Sequence, residues 1–92
     1  MRSKVHKLLP FSLKRKVDLI GTNIKLARKK RKWTIGNTAK RCQISVQTYR
    51  RVENSDSTVS FAAYAMVLYI LGMANDLDKL AAPEFDQTLA TT

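Results

Sequence analysis

At 92 residues, with 45% hydrophobic and 26% charged residues, the chain has room for one domain with a modest core and is too apolar to stay unfolded. A large catalytic architecture is excluded. The net charge of +10 is unevenly spread: residues 1–53 hold sixteen of the seventeen Lys and Arg residues against Asp18 and Glu53, whereas residues 54–92 set Lys79 against Asp56, Asp76, Asp78, Glu84 and Asp86. Clustered cations of this kind suit a polyanion, either nucleic acid or an anionic membrane surface.

Cys42 is the only cysteine and His6 the only histidine, so no internal disulfide, metal-ligand set or Cys/His catalytic pair can be assembled. Paired carboxylates, a Gly-rich phosphate loop and a nucleophile-base pair are also missing, and neither enzymatic activity nor a cofactor or metal is expected. Residues 1–16 scatter their basic residues and lack an apolar core of sufficient length, so no secretory signal is expected, and a reducing, cytoplasmic setting fits the single thiol. The longest apolar run, residues 61–74, falls short of the about 20 residues that span a bilayer. No internal repeat or low-complexity tract is present.

In chain order, residues 1–11 read as a basic arm expected to be flexible, with no special role for His6. Pro10 precedes Ser12, a candidate N-cap, and Leu13, Val17, Ile20, Ile24 and Ala27 then recur at the spacing of one helix face. Gly21 interrupts that face at about 1 kcal/mol, so the segment is either one helix or two pieces joined there. The run Arg28 to Lys32 closes it, where positive charge suits a helix C-terminus and can also reach a phosphate. Trp33 is expected to anchor the core.

Thr34 is a good N-cap for a short helix reaching Cys42. The segment Gln43-Ile44-Ser45 breaks it, and Ser45 can cap a second helix from Val46 to about Asn54 whose inward face is Tyr49 and Val52. Two short helices joined by so tight a turn are the layout of a helix-turn-helix, which presents the N-terminal side chains of its second helix to the DNA major groove. Ser60 then caps a helix over 61–71 that ends at Gly72. Its sides are nearly all apolar, more than one small core can hide. One face is expected to pack on the first helix and another, carrying Tyr64, Met66, Tyr69, Ile70 and Met73, on a second subunit. The alternative is a central helix wrapped by residues 76–81 and the first helix. Residues 82–92 read as a flexible tail.

The stretch 34–54 resembles the helix-turn-helix of the Xre, or Cro/C1-type, repressor family at Thr34, Ala39, Ile44, Ser45, Thr48, Arg51, Val52 and Glu53, and the resemblance runs on through Ser60 to Leu71. It implies an all-α, compact bundle of about five helices of the lambda-repressor-like type over residues 12–81. It further implies a homodimer that binds double-stranded DNA at a palindromic operator, as a cytoplasmic, nucleoid-associated regulator. Two departures stand out: Ile35 replaces a Gln that braces the recognition helix and touches the DNA backbone, and Gly36-Asn37-Thr38 replaces acidic residues followed by Leu, so this helix is expected to be weak. By position, Val46, Gln47, Thr48, Arg50 and Arg51 fall to base edges, in keeping with the pairing of Gln with adenine, Arg with guanine and Val with a thymine methyl. Thr34, Asn37, Ser45, Asn54, Lys29 and Lys30 fall to phosphates. Cys42 sits where the family takes a small residue and reads as a buried hydrophobe.

The segment 71–86 looks most like the HipB-type branch, antitoxins that repress their own operon and bind a HipA-type serine/threonine kinase toxin. A stand-alone or phage-like Xre-type regulator with no toxin partner, and an interaction antitoxin with little operator specificity, are the alternatives. A membrane-surface protein would exploit the basic, apolar-striped residues 1–32, but it has no need of the turn at 43–45 or of a capped second helix.

Overall fold

Three of the four α-helices in the computed structural model, which describes residues 4–88, start at a hydroxyl that closes the first turn. Thr34 Oγ1 accepts from the Asn37 N–H at 3.0 Å at the head of α2 (Ile35–Arg41), Ser45 Oγ from the Thr48 N–H at 3.0 Å at the head of α3 (Val46–Glu53), and Ser60 Oγ from the Ala63 N–H at 3.2 Å at the head of α4 (Phe61–Ile70). Each satisfies one of the main-chain donors that a helix start leaves without an intrahelical acceptor. α1 (Phe11–Lys30) differs: its N-cap is Pro10, without a side-chain cap, and Ser12 lies inside the helix. Pro10 already holds extended backbone, and its carbonyl accepts the Lys14 N–H at 2.8 Å, so the turn closes two residues before the hydroxyl expected to cap it.

The all-α, lambda-repressor-like bundle expected from the sequence is the architecture observed. Short 3-10 segments, Val5–Lys7, Ala74–Lys79 and Pro83–Phe85, complete it, and the described residues contain no strand. The expected arm and tail lie partly outside the described residues, at 1–3 and 89–92. α2 and α3 pack on each other and α3 on α1, with α4 closing the core beneath them. Ile24, Ala39, Cys42, Tyr49, Val52, Val67 and Leu71 are buried at the centre, and Trp33, Ile35, Ile44, Val59 and Leu68 pack around them. Burial pushes the Cys42 thiol pKa up, which keeps it an inert hydrophobe. Thr38, where the family has Leu, is fully buried, and its hydroxyl donates to the Thr34 carbonyl at 2.7 Å. The departure at 36–38 thus leaves no unpaired buried hydroxyl, and α2 forms.

All four helices end the same way, with a left-handed residue one position past the C-cap. It is Lys32 after α1, Gln43 after α2, Ser55 after α3 and Gly72 after α4. The next N–H then reaches back five residues, Trp33 to Arg28, Ile44 to Ala39, Asp56 to Arg51 and Met73 to Leu68. This double closure is the Schellman motif. Arg31 adds a tie between helices by donating to the Leu71 carbonyl at 2.7 Å.

α1 is one helix through Gly21. The missing side chain there admits the turn after α3: Ser55, buried, accepts the Gly21 N–H on its hydroxyl at 2.8 Å and donates to the Asp18 carbonyl at 2.8 Å. A Cβ on Gly21 would overlap the Ser55 hydroxyl and the Glu53 carbonyl. The face of α1 that is buried is accordingly Gly21, Ile24 and Arg28. Leu13 and Ile20, expected on the inward stripe, remain exposed, because the body of the domain meets only the C-terminal half of the helix.

The strongest link across the core is ionic. Arg28 Nε donates to Glu53 Oε2 at 2.6 Å and Nη2 to Oε1 at 3.3 Å, Arg28 Nη1 donates to the Trp33 carbonyl at 2.8 Å, and the Tyr49 hydroxyl donates to Glu53 Oε2 at 2.5 Å. The two charged side chains are only 9% and 7% exposed. Glu53 raises the Arg28 pKa, while burial first and the Glu53 hydrogen bond second push the Tyr49 phenol well above its ordinary value.

Two stability measurements check this anatomy. Gly21→Ala gains about 1 kcal/mol of helix propensity but forces backbone apart at a cost of about 1–3 kcal/mol or more, so urea denaturation should show a net loss; a gain would mean that the close approach is relaxed in solution. Glu53→Gln leaves the Arg28 guanidinium buried without a counter-charge, and a loss of about 3–5 kcal/mol is expected. An unchanged midpoint would show that the pair contributes nothing to the fold.

Candidate nucleic-acid interface

α3 carries the site. With Tyr49 and Val52 fully buried and Glu53 turned into the ion pair, the helix presents Gln47, Arg50, Arg51 and Asn54 outward, all exposed, and Val46 at 41% exposure. Gln47, Arg50 and Arg51 engage no side-chain partner among the described residues, so their donors face solvent. Thr48 is half-buried, and its hydroxyl accepts from Ser45 Oγ at 3.0 Å. The base-edge candidates therefore divide into four free side chains, Val46, Gln47, Arg50 and Arg51, and one, Thr48, whose hydroxyl already helps close the cap.

The phosphate candidates fall into groups. Thr34 and Asn37 stand together at the head of α2, where Asn37 Oδ1 accepts from Arg41 Nε at 2.7 Å and its amide nitrogen is left to donate. The Arg41 guanidinium lies 4.2 Å from the centre of the Trp33 ring, a cation–π contact that fixes it beside α2. Ser45 and Asn54 mark the two ends of α3, as the sequence places them, but the Ser45 hydroxyl both accepts from Thr48 N–H and donates to Thr48 Oγ1. What Ser45 offers a phosphate is its main chain.

Lys29 and Lys30 are not brought to one surface. Lys30 lines a hollow with Asn23, Leu26, Arg31 and Met73, on the flank that also carries exposed apolar residues. Lys29 lies four residues after Lys25 and seven after Thr22, on the stripe of α1 that borders α3. Lys25, not singled out in the sequence, lines a second hollow with Thr22, Ile35, Arg50 and Asn54. The i, i+4 spacing to Lys29 was the only signal that could have found it.

The electrostatics of this surface follow from where the acids go. The two acids of residues 1–53 are both committed: Asp18 pairs with Lys14 at 2.9 Å and Glu53 with Arg28 at 2.6 Å. The cations around α3 thus meet no free carboxylate from the basic half of the chain. The residues expected at the dimer contact also divide. Tyr64 is half-buried, with its hydroxyl on the Asp56 carbonyl at 2.7 Å and its pKa pushed up to about 12 mainly by burial, and Ile70 packs against the core. Met66, Tyr69 and Met73 are exposed, Tyr69 by 69%; the first two lie three residues apart on α4, whereas Met73 follows the turn that ends it.

No described helix is long and apolar enough to cross a membrane, and no group of potential metal ligands occurs among the described residues. Neither the curated proteins nor the solved structures gave a match. Residues 24–63, from the buried half of α1 into the first turn of α4, match a family model described as helix-turn-helix. Over those residues the chain is similar to a helix-turn-helix, the layout that α2 and α3 form.

Proposed function

We propose that the protein is a sequence-specific transcriptional repressor that binds a palindromic operator as a homodimer, inserting α3 into the major groove. The observation that carries this reading is the outward face of α3: Gln47, Arg50 and Arg51 exposed and unengaged on a helix fixed from behind by Tyr49, Val52 and the Arg28–Glu53 pair. Arg and Gln are the side chains that pair two-pronged with guanine and adenine, and Val46 offers a methyl surface to thymine. Thr34, Asn37 and Asn54, with the Ser45 main chain, would hold the flanking phosphates and set register, with Lys29 as a further cation.

The dimer reading draws support from exposed Met66 and Tyr69 on α4 and Met73 just beyond its end. A two-fold contact there would set two recognition helices for half-sites about 34–36 Å apart. In the narrower form of the reading the protein is an antitoxin that represses its own operon and binds a HipA-type kinase. The resemblance of segment 71–86 to HipB-type antitoxins supports that form.

The reading is tested by fluorescence-anisotropy titration of the DNA upstream of the gene against scrambled duplex, over a range of salt. Arg51→Ala should cost about 1–3 kcal/mol on the operator and relax preference at one base pair; uniform weakening on every sequence would remove Arg51 from base readout. Tyr69→Glu places a charge in the proposed contact, and light scattering should then report half the wild-type mass. An unchanged dimer mass would place the interface elsewhere.

A further inference from the structure

α1 supplies a cation to the recognition surface at a place where neither the helix-turn-helix motif nor the charge run at 28–32 locates one. A polar hollow of about 490 Å³ lies where α1, the head of α2 and the tail of α3 meet, lined by Thr22, Lys25, Arg28, Ile35, Arg50, Glu53 and Asn54. Arg28 and Glu53 form its floor and cancel each other at 2.6 Å. Ile35 gives it an apolar wall, because its side chain packs on the core. Lys25, Arg50 and Asn54 are exposed at its rim, and neither cation is engaged by a carboxylate among the described residues. Two uncompensated positive charges and a side-chain amide thus converge on a hollow beside the exposed face of α3, over a floor with no charge left to repel an anion.

We propose that this hollow seats one phosphodiester of the DNA backbone, with Lys25 as its principal cation and Arg50 and Asn54 as its flanking donors. The proposal rests on the DNA-binding reading and adds to it a contact from α1. Lysine suits the role: a compact charge on a four-carbon stem reaches a phosphate without a fixed approach angle. With Ile35 unable to donate a side-chain hydrogen bond, the head of α2 offers its hydroxyl and amide donors from Thr34 and Asn37, and Lys25 supplies the charge across the hollow from them. The assignment also divides labour on α3, since Arg50 faces the hollow while Gln47 and Arg51 stay free for base edges.

The experiment compares the full chain with Lys25→Gln, Lys25→Arg and Lys79→Gln by anisotropy on operator and scrambled duplexes across a salt series. The Lys79 variant removes the same charge from the acidic half of the chain. Loss of one phosphate contact lowers the slope of log K against log salt by about 0.9 and weakens binding about fivefold at 0.15 M salt. Lys25→Gln should show both changes equally on the two duplexes, Lys25→Arg should restore them, and Lys79→Gln should show neither. An unchanged slope for Lys25→Gln, or a loss shared by Lys79→Gln, overturns the seat. Titration with inorganic phosphate at constant ionic strength separates the sources: a response at Lys25 there, together with an unchanged DNA slope, would make this a free-anion site and overturn the DNA contact. Equal wild-type binding to both duplexes would overturn operator recognition instead, and the Lys25 slope would still decide the seat.

Discussion

The Arg28–Glu53 pair is the constraint on which the rest of the structure depends, because it ties the last acid of α3 to the only cation that α1 buries. Two charges in so dry a place cost several kcal/mol each to desolvate, and only near-complete hydrogen bonding offsets that. Glu53 takes two donors from Arg28 and one from Tyr49, Arg28 gives its remaining fork to the Trp33 carbonyl, and no buried side-chain polar atom among the described residues is left unpaired. The pair sets geometry more than it adds stability. It fixes the rotation of α3 about its own axis, and that rotation turns Gln47, Arg50 and Arg51 to solvent. By burying the negative charge of the helix, it also leaves the exposed face wholly basic.

Three of the four helix starts were legible in the sequence, and so was where each helix ends, but not how the ends close. Thr34, Ser45 and Ser60 are hydroxyls placed just before apolar periodicity, and capping is a local interaction that needs nothing from the rest of the fold. The ends are closed by Schellman turns, whose usual mark is glycine, yet only Gly72 bears it. Lys32, Gln43 and Ser55 take up left-handed backbone, φ 57–59°, at about 1–2 kcal/mol each, a cost that packing after each turn repays: Trp33 and Ile44 follow directly and settle against the core. Gly21 left two readings open, one helix or two pieces joined there, and the helix runs through it. A glycine in a helical pattern suggests a break, whereas here it marks the point where another segment's backbone comes closest, and only the tertiary fold reveals which of the two applies.

The recognition surface divides along the same line. Gln47, Arg50 and Arg51 could be read from the period of a single helix once Tyr49 and Val52 were placed inside. Lys25 could not, since its proximity to Arg50 and Asn54 arises from the crossing of α1 over α3, 25 or more residues away along the chain. The engagement of Ser45 was hidden for a related reason: a hydroxyl that both accepts a main-chain N–H and donates to Thr48 has nothing left for a phosphate, and sequence spacing does not count lone pairs.

The size of the domain explains why its surface remains so apolar. A single small core accepts Ala63, Val67 and Leu71 from α4, while Phe61, Met66 and Tyr69 stay at 67%, 42% and 69% exposure. Hydrophobic burial is worth roughly 25 cal/mol per Å², so a chain that leaves such side chains in water forgoes stability that its own fold cannot reclaim. The proposed second copy would reclaim it, and the gain would then be coupled to recognition. The contact that covers Met66, Tyr69 and Met73 would also fix the distance between two α3 helices, each held in rotation by its own Arg28–Glu53 pair. Stability, operator spacing and side-chain aim would then come from two interactions, one buried within each subunit and one shared between them.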